Sequence, residues 1–360
     1  MSELAGLVSS SSILVCCGTG GVGKTTVAAA LGLEGARLGR RTCVVTVDPA
    51  RRLADALGLD SLPNSPTPIA GPWPGELHGL MLDPKSTFDE LVKRNAADPE
   101  QAERILTNRL YRNLTQALSG TQEYMAMEKL HELHEEGGFD LVVVDTPPTR
   151  NALDFIDAPR RLTRFLENRV FRALMAPTRA YLRAVGLATQ ALLRSISKVV
   201  GSEVVSDAIG FFQAFEGMEE GFRDRAGRVL ALLSEPSTAF VLVASPRTDA
   251  VDEALFFVDK LEEASIAVRA LVVNRMHPRF ASPPPEEAHG KPAAGSHLER
   301  TVADLRQNLA QLAAVAAREE ANIASLAKRL SPAPVARVPF LADDVHDLEG
   351  LEQVRARLFP

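Results

Sequence analysis

Short runs of apolar residues alternate with longer helix-like stretches along the whole chain. The runs are rich in Val, Ile and Leu and show little alternation of polar and apolar positions, a pattern typical of parallel strands buried on both faces. They lie at residues 13–17, 42–47, 80–82, 141–144, 240–244, 271–273 and 336–338. Because the intervening stretches are long enough for crossover helices, the pattern predicts an α/β fold with a doubly wound, mainly parallel sheet.

Two stretches are longer than a simple crossover. Residues 86–136 predict helices that stop at a Gly-Gly pair. Residues 152–234 contain FLENRVFRALM and AYLRAVGLATQALLRSI, with apolar positions three and four residues apart. We expect both stretches to form a helical subdomain inserted in a single domain spanning residues 1–360. The Pro-, Gly- and Ala-rich stretch 281–297 predicts a mobile loop, after which a long helical pattern begins.

Residues 18–25, GTGGVGKT, match the pattern G-x-x-x-x-G-K-[ST] of a phosphate-binding loop. An apolar strand precedes the loop and a helix-like stretch follows it, as the chemistry requires. Glycines let successive backbone N–H groups point at one phosphate, and the helix adds its positive N-terminus. Lys24 is placed to neutralise phosphate oxygens and Thr25 to bind Mg²⁺. The motif predicts a nucleoside triphosphatase.

Two apolar strands end in aspartate. Asp145 follows LVVV, the usual position for a contact with Mg²⁺ through water. Asp48 follows CVVTV, where a carboxylate would orient or deprotonate the attacking water. Each aspartate taken singly is equally compatible with a helix N-cap. Beside a phosphate loop, the catalytic interpretation is favoured.

The order of these motifs resembles that of the arsenical-pump-driving and tail-anchored-protein-targeting ATPases. The matching stretches are GTGGVGKT at 18–25, DPARRLADA at 48–56, Asp83-Pro84, DTPPT at 145–149 and Asn274-Arg275 after a strand. The similarity extends over nearly the whole chain. It is strongest to the bacterial anion transporter ATPase subfamily, in which two paralogous subunits are often encoded together.

The resemblance implies ATP and Mg²⁺ as cofactors. It implies Lys24 and Asp48 as catalytic residues, with Asp48 activating water. Thr25 would bind Mg²⁺ directly, whereas Asp48 and Asp145 would support it through water. Asn274 resembles a residue that reads adenine and Pro339 one that packs on the purine, although Asn274 is also compatible with a simple strand end. The residues implied in holding the phosphates are Gly20, Gly21, Val22, Gly23, Lys24, Thr25 and Thr26.

One departure from the family pattern concerns charge. The resembled loops usually carry Lys where this chain has Thr19, and that Lys reaches the phosphates of the partner subunit. A homodimer of this chain would lack both of these charges, so we expect a dimer with a paralogous ATPase that has the Lys. Arg51, Arg52 and Arg150 are candidate replacements, but solvated loop charges are the more ordinary interpretation.

The cysteines form a second departure. Cys16, Cys17 and Cys43 lie in apolar strands, and the chain has neither a CxxC motif nor a cysteine after Cys43. We expect buried thiols in a reducing cytoplasm and no zinc site. HELH at residues 131–134 lacks the HExxH spacing and predicts a polar helix end.

The composition and charge of the chain limit the kinds of molecule that it is expected to bind. The chain is 46% hydrophobic and 24% charged, with a net charge of −6, which argues against nucleic-acid binding. No apolar run is long enough to predict a membrane span. Between residues 160 and 200, nine Lys and Arg are opposed only by Glu167. Such a basic amphipathic stretch suits a membrane surface or a hydrophobic client with acidic flanks, and equally a helix that packs its apolar stripe inward.

Three functional hypotheses follow. The leading one is an ATPase whose cycle switches a dimer and controls binding of a hydrophobic client or a membrane partner. The first alternative is the energising subunit of an anion transporter, and the second is a low-activity regulatory subunit of a heterodimeric ATPase. The absence of metal-binding cysteines counts against arsenite or antimonite as direct effectors.

Overall fold

The computed structural model describes residues 2–48, 50–109, 121–147, 217–280 and 297–360, with positions 111, 158, 160, 164, 207, 210, 211 and 214. The strands in the described part are β1 (Ile13–Gly18), β2 (Arg41–Thr46), β3 (Thr67–Ile69), β4 (Glu76–Met81), β5 (Leu141–Asp145), β6 (Thr238–Ala244), β7 (Val268–Met276) and β8 (Val335–Pro339). They form one eight-stranded sheet in the order β3-β4-β2-β5-β1-β6-β7-β8. All neighbouring strands are parallel except β3 and β4.

Helices cover both faces of this sheet, as the apolar pattern predicts. Those described are α1 (Glu3–Ser10), α2 (Lys24–Arg37), α3 (Arg52–Ala56), α4 (Pro84–Asn95), α5 (Pro99–Thr107), α6 (Thr121–Glu135), α7 (Glu219–Leu233), α8 (Thr248–Glu263), α9 (His297–Arg329) and α10 (Leu348–Leu358). Residues of α1, α2, α3 and α10 pack on one face, and residues of α4 to α9 pack on the other. The expected doubly wound α/β fold is confirmed.

Strand β1 shows why the apolar runs lack alternation. Ile13, Val15 and Cys17 pack into the cluster on one face of the sheet, whereas Leu14 and Cys16 pack into the cluster on the other. Successive strand side chains point to opposite faces, so a strand covered on both sides must be apolar throughout. This double burial places β1 at the centre of the sheet and fixes where the phosphate loop emerges.

The edge next to β2 differs from the prediction. Each of the seven predicted apolar runs overlaps a strand, although the runs 42–47 and 80–82 extend one residue past β2 and β4. Strand β4 begins at Glu76, before its apolar run, and β3 was not predicted. The antiparallel pairing of Thr67 with Gly79 and of Ile69 with Leu77 holds this three-residue strand. Because β3 contains Pro68 and is short, its conformation depends on pairing rather than on its own sequence pattern.

The first helical insert is described in most of its length. It comprises α4, α5 and α6, and α4 begins at Pro84, with the Asp83 side chain accepting the Lys85 N–H. Helix α6 ends at Glu135, just before the predicted Gly-Gly stop, and Gly138 has φ of 63°. Most of the predicted insert 152–234 lies outside the described residues, as does 281–296 of the predicted loop. The division into domain and subdomain therefore stays a prediction.

Gly18 is the position at which the sheet and the phosphate loop constrain the sequence most tightly. It ends β1 with φ of +150° and pairs with Val243 of β6. A Cβ atom there would lie 2.0 Å from the Val243 carbonyl oxygen. Since the obstructing atom belongs to the backbone of a central strand, it cannot move aside without breaking the pairing of β1 with β6.

We therefore expect Gly18→Ala to lower the free energy of unfolding by about 3 kcal/mol, from overpacking and an unfavourable φ. Urea unfolding followed by circular dichroism measures the change. Gly6→Ala is the matched control, because Gly6 lies within α1 and its added Cβ would contact nothing within 4 Å. The control should be neutral or slightly stabilising. Equal stability of the two variants would contradict this account of Gly18.

Candidate nucleotide-binding site

A cavity of about 530 Å³ lies at the carboxyl edge of the sheet, where ligands bind in open α/β folds. Most of the site residues expected from the sequence line it together: Gly21, Gly23, Lys24, Thr25, Thr26, Asp48, Asp145, Asn274 and Pro339. Gly20 and Val22 belong to the same loop but do not line the cavity; Gly20 is exposed and Val22 is buried. The fold thus brings together residues that are far apart in the sequence.

The phosphate loop is shaped by left-handed glycines. Gly21 has φ of 76°, and Gly23, the N-cap of α2, has φ of 88°. The Lys24 ammonium is buried and donates a hydrogen bond of 2.9 Å to the Thr19 carbonyl. Burial lowers the pKa of Lys24, an effect that the nearby Asp145 carboxylate opposes. A desolvated ammonium at the start of a helix is well placed to gain from an anionic phosphate.

Asp145 is the meeting point of three elements. Its Oδ2 accepts hydrogen bonds from the hydroxyls of Thr25 at 2.7 Å and Thr46 at 2.8 Å. Its Oδ1 is buried without a partner among the described residues. Burial raises the pKa of Asp145 to about 6, although both threonine hydroxyls lower it. A buried carboxylate with a spare oxygen, next to a threonine hydroxyl and a phosphate loop, fits the oxygen ligands that Mg²⁺ prefers.

Asp48 lines the same cavity and is held by its own loop. Its Oδ1 accepts the backbone N–H of Ala50 at 2.9 Å, and its Oδ2 forms an ion pair of 2.9 Å with Arg52. The Arg52 side chain is 67% exposed and that of Asp48 is 24% exposed. An exposed pair of this kind contributes only ~0–1 kcal/mol, so it is easily exchanged for another contact.

Asn274 lies within β7 rather than after it and is tied to the phosphate loop. Its Nδ2 donates to the Val22 carbonyl at 2.9 Å, and its Oδ1 accepts the Arg275 N–H at 2.9 Å. A side-chain amide has a second N–H and a second lone pair, so it retains capacity for a base edge. Pro339 ends β8 and pairs with Met276 of β7, on the wall shared with Asn274. The positions of Asn274 and Pro339 are therefore compatible with the adenine-binding roles that the resemblance implies.

Two residues that contact the site, Thr46 and Arg275, were assigned no role from the sequence. Thr46 is paired in register with Asp145 across β2 and β5, and it donates a hydrogen bond to that carboxylate. Arg275 donates a hydrogen bond of 2.8 Å from Nη1 to the Gly21 carbonyl. The only features of the sequence that point to these two residues are weak: Thr46 lies two positions before Asp48, and Arg275 directly follows Asn274. Their roles depend on strand register, which the sequence pattern does not specify.

Three further predictions concern cysteines and histidines. Cys16, Cys17 and Cys43 are buried as expected, and burial raises the pKa values of Cys17 and Cys43 to about 12. The HELH stretch forms the last turns of α6, with His131 buried, which confirms a helix end. In the part of the chain that the structure describes, no three His, Cys, Asp or Glu side chains are grouped as metal ligands.

Thr19 occupies the position at which the resembled family has a lysine. Its side chain is buried, and its Oγ1 has no hydrogen-bond partner within the described ranges. Among the candidate replacement charges, Arg52 is paired with Asp48, whereas Arg150 lies outside the described residues. The loop position itself therefore contributes no positive charge.

The similarity of the chain to known proteins is consistent with a nucleotide-binding site in this cavity. The family model described as anion-transporting ATPase matches residues 11–283. The chain belongs to the anion-transporting ATPase family. The match includes both the phosphate loop and Asn274, so the chain is an ATPase with the P-loop fold of that family. Among the helices of the described residues, none is both long enough and apolar enough to cross a membrane.

Several curated proteins are similar over most of the chain. A protein of Aquifex aeolicus named as an arsenical pump-driving ATPase is 22% identical over 96% of this chain and 78% of its own length. ATPase GET3B of Arabidopsis thaliana is 29% identical over 74% of this chain and 64% of its own length. ATPase GET3 of Malassezia globosa is 24% identical, with 73% and 72% covered. Both branches of the expected resemblance are thus confirmed.

The raised pKa of Asp145 leads to a testable dependence of stability on pH. The folded-state pKa of about 6 exceeds the ordinary value of 3.8, so ionisation opposes folding. The stability present at low pH is lost as the pH rises from about 4 through 6, a loss of roughly 2 to 3 kcal/mol without bound metal. Asp145→Asn keeps an oxygen acceptor for both threonine hydroxyls and removes the charge.

We expect Asp145→Asn to become progressively more stable than the wild type between pH 4.5 and 7, in buffer containing a chelator. Urea unfolding at several pH values measures the difference. Asp249→Asn is a control, because Asp249 is exposed and its pKa is lowered by Arg247. A difference between Asp145→Asn and the wild type that stays constant with pH would contradict the assignment.

Proposed function

We propose that this ATPase binds ATP and Mg²⁺ in the carboxyl-edge cavity and couples hydrolysis to the switching of a dimer. The observation that carries the proposal is the buried Asp145 carboxylate, which holds the Thr25 hydroxyl and keeps one oxygen free. Mg²⁺ bound there would neutralise charge that develops on the phosphates. Thr25 would bind the ion directly, and Asp145 would support it through water.

The phosphate loop would position the triphosphate. Gly20 to Thr26 supply backbone N–H groups and the N-terminus of α2, and Lys24 supplies a buried positive charge. Asn274 and Pro339 would hold the adenine on the wall formed by β7 and β8. Positioning together with electrostatic stabilisation accounts for most of the catalysis of phosphoryl transfer.

Asp48 would orient the attacking water. The Arg52 ion pair keeps this carboxylate occupied, but the pair is exposed and weak. Displacement of Arg52 by the bound water would therefore free Asp48 at low cost. Asp48 would act mainly by orienting water, and it would also support Mg²⁺ through water.

Thr19 supports an assembly of two unlike subunits. A cation directed at a phosphate from a partner subunit contributes several orders of magnitude in rate in related phosphoryl-transfer systems. Because this loop position holds a buried threonine, the chain cannot supply such a charge to a partner. A paralogous ATPase carrying the lysine would complete the site of this chain, and the assembly would have two unequal sites.

The family resemblance and the similar proteins suggest which process ATP hydrolysis drives. We infer a hydrophobic client or a membrane partner, contacted by the basic amphipathic stretch within residues 160–200. The alternative of an energising subunit for an anion transporter is supported by the match to the anion-transporting ATPase family and by the relative named as a pump-driving ATPase. A low-activity regulatory subunit is the alternative that Thr19 supports. Location in the cytoplasm, with peripheral contact at a membrane, agrees with each of these.

The charge at position 19 can be tested in the purified chain. We expect slow ATP turnover by the wild type and an increase of about tenfold or more in Thr19→Lys, because self-association then supplies the missing charge in trans. Thr19→Met is the matched control, with a long side chain and no charge. Steady-state phosphate release at several protein concentrations measures turnover, and melting temperatures check the fold.

The rate of the Thr19→Lys variant should depend on protein concentration, and adding Lys24→Ala to it should abolish activity. Rapid turnover by the wild-type chain alone would contradict the proposed unequal assembly. Equal rates for Thr19→Lys and Thr19→Met would contradict the role given to charge at this position.

A further inference from the structure

Arg275 lies on the wall of the nucleotide cavity and has no role in the function proposed above. It follows Asn274 near the end of β7, and its Nη1 donates a hydrogen bond of 2.8 Å to the Gly21 carbonyl. The side chain therefore crosses from a late strand to the phosphate loop. Arg275 is exposed, so its guanidinium is accessible to a ligand in the cavity.

The backbone at Arg275 is in an unusual conformation. Its φ of 61° is left-handed, a conformation that residues with a Cβ rarely adopt. Successive side chains of a regular strand point to opposite faces, yet Asn274 and Arg275 both reach the phosphate loop. The left-handed residue thus allows two neighbouring side chains to bind the carbonyls of Val22 and Gly21.

The partner of Arg275 is neutral. Its guanidinium forms no ion pair with a carboxylate among the described residues, although Asp343 and Asp344 line the same cavity. Arg52, in contrast, is paired with Asp48 at 2.9 Å. A guanidinium has five N–H donors in a planar fork, and one bond to Gly21 leaves donors and the full charge available.

We propose that Arg275 is a phosphate-binding residue that acts within its own subunit. Its guanidinium binds the phosphate chain of the nucleotide while ordering the loop at Gly21. Arg275 thereby supplies a positive charge to the phosphate loop of its own subunit. Thr19 of the same loop, in contrast, supplies no charge to a partner subunit. The inference rests on the proposed function, because it requires ATP to bind in this cavity.

A purely structural latch on the Gly21 carbonyl is the competing explanation, and charge separates the two. Arg275→Gln keeps an N–H donor for the carbonyl and loses the charge, whereas Arg275→Lys keeps the charge and loses the planar fork. Arg247→Gln is the matched control, because Arg247 is an exposed arginine paired with Asp249 outside the cavity.

Isothermal titration calorimetry with ATP, ADP and AMP, each with Mg²⁺, tests the proposal on these four proteins. We expect Arg275→Gln to weaken ATP binding by about tenfold or more and AMP binding by less than about threefold, since a charge-assisted hydrogen bond to phosphate is lost. Arg275→Lys should be intermediate, and Arg247→Gln should match the wild type. Without nucleotide, the melting temperatures should remain close to that of the wild type.

Wild-type affinity of Arg275→Gln for ATP would overturn the inference while leaving the proposed function intact. An equal loss of affinity for ATP and AMP would also overturn it. A purely structural contact that shapes the loop would weaken binding of both nucleotides alike, regardless of their number of phosphates. Failure of the wild type to bind ATP would overturn the proposed function itself. If Arg275→Gln does not fold, Arg275→Asn replaces it, because asparagine tolerates the left-handed conformation.

Discussion

The carboxylate of Asp145 accepts hydrogen bonds from two threonine hydroxyls, and these bonds join three elements of the fold at one oxygen atom. Thr25 brings the first turn of α2 to β5, and Thr46 brings the end of β2 to the same place. The arrangement requires the strand register that pairs Thr46 with Asp145 and Cys16 with Asp145. A shift of one residue would turn the carboxylate to the opposite face of the sheet.

This junction also connects the two carboxylates of the proposed mechanism. The Thr46 hydroxyl donates to Asp145, and its oxygen accepts the Asp48 N–H at 3.2 Å. The Thr46 side chain therefore connects the Asp145 carboxylate directly to the backbone of Asp48, so that a change in the contacts of Asp145 can shift Asp48. Within β7, Asn274 and Arg275 bind successive carbonyls of the phosphate loop. The phosphate loop is thus held at Gly21 and Val22 by β7, and the helix that follows the loop is held at Thr25 by Asp145.

The sequence predicts the features of this site that depend on local pattern. Apolar runs place the strands, and GTGGVGKT identifies the loop because its glycines and its Lys-Thr pair have few other uses together. The pairing of Asp48 with Arg52, the contact of Thr46 with Asp145 and the left-handed φ of Arg275 were not predicted. The last two depend on register and on backbone conformation, which arise only when distant strands are aligned. Strand β3 was missed for the same reason, since its partner holds it in place.

In the proposed function, Asp145 and Thr25 together form the metal-dependent part of the nucleotide site. Electron paramagnetic resonance of Mn²⁺, used in place of Mg²⁺, measures this directly in the wild type and in Thr25→Val, which has the same shape without the hydroxyl. We expect ATP to increase Mn²⁺ affinity strongly in the wild type and only weakly in Thr25→Val. Equal Mn²⁺ affinities of the two proteins in the presence of ATP would contradict it.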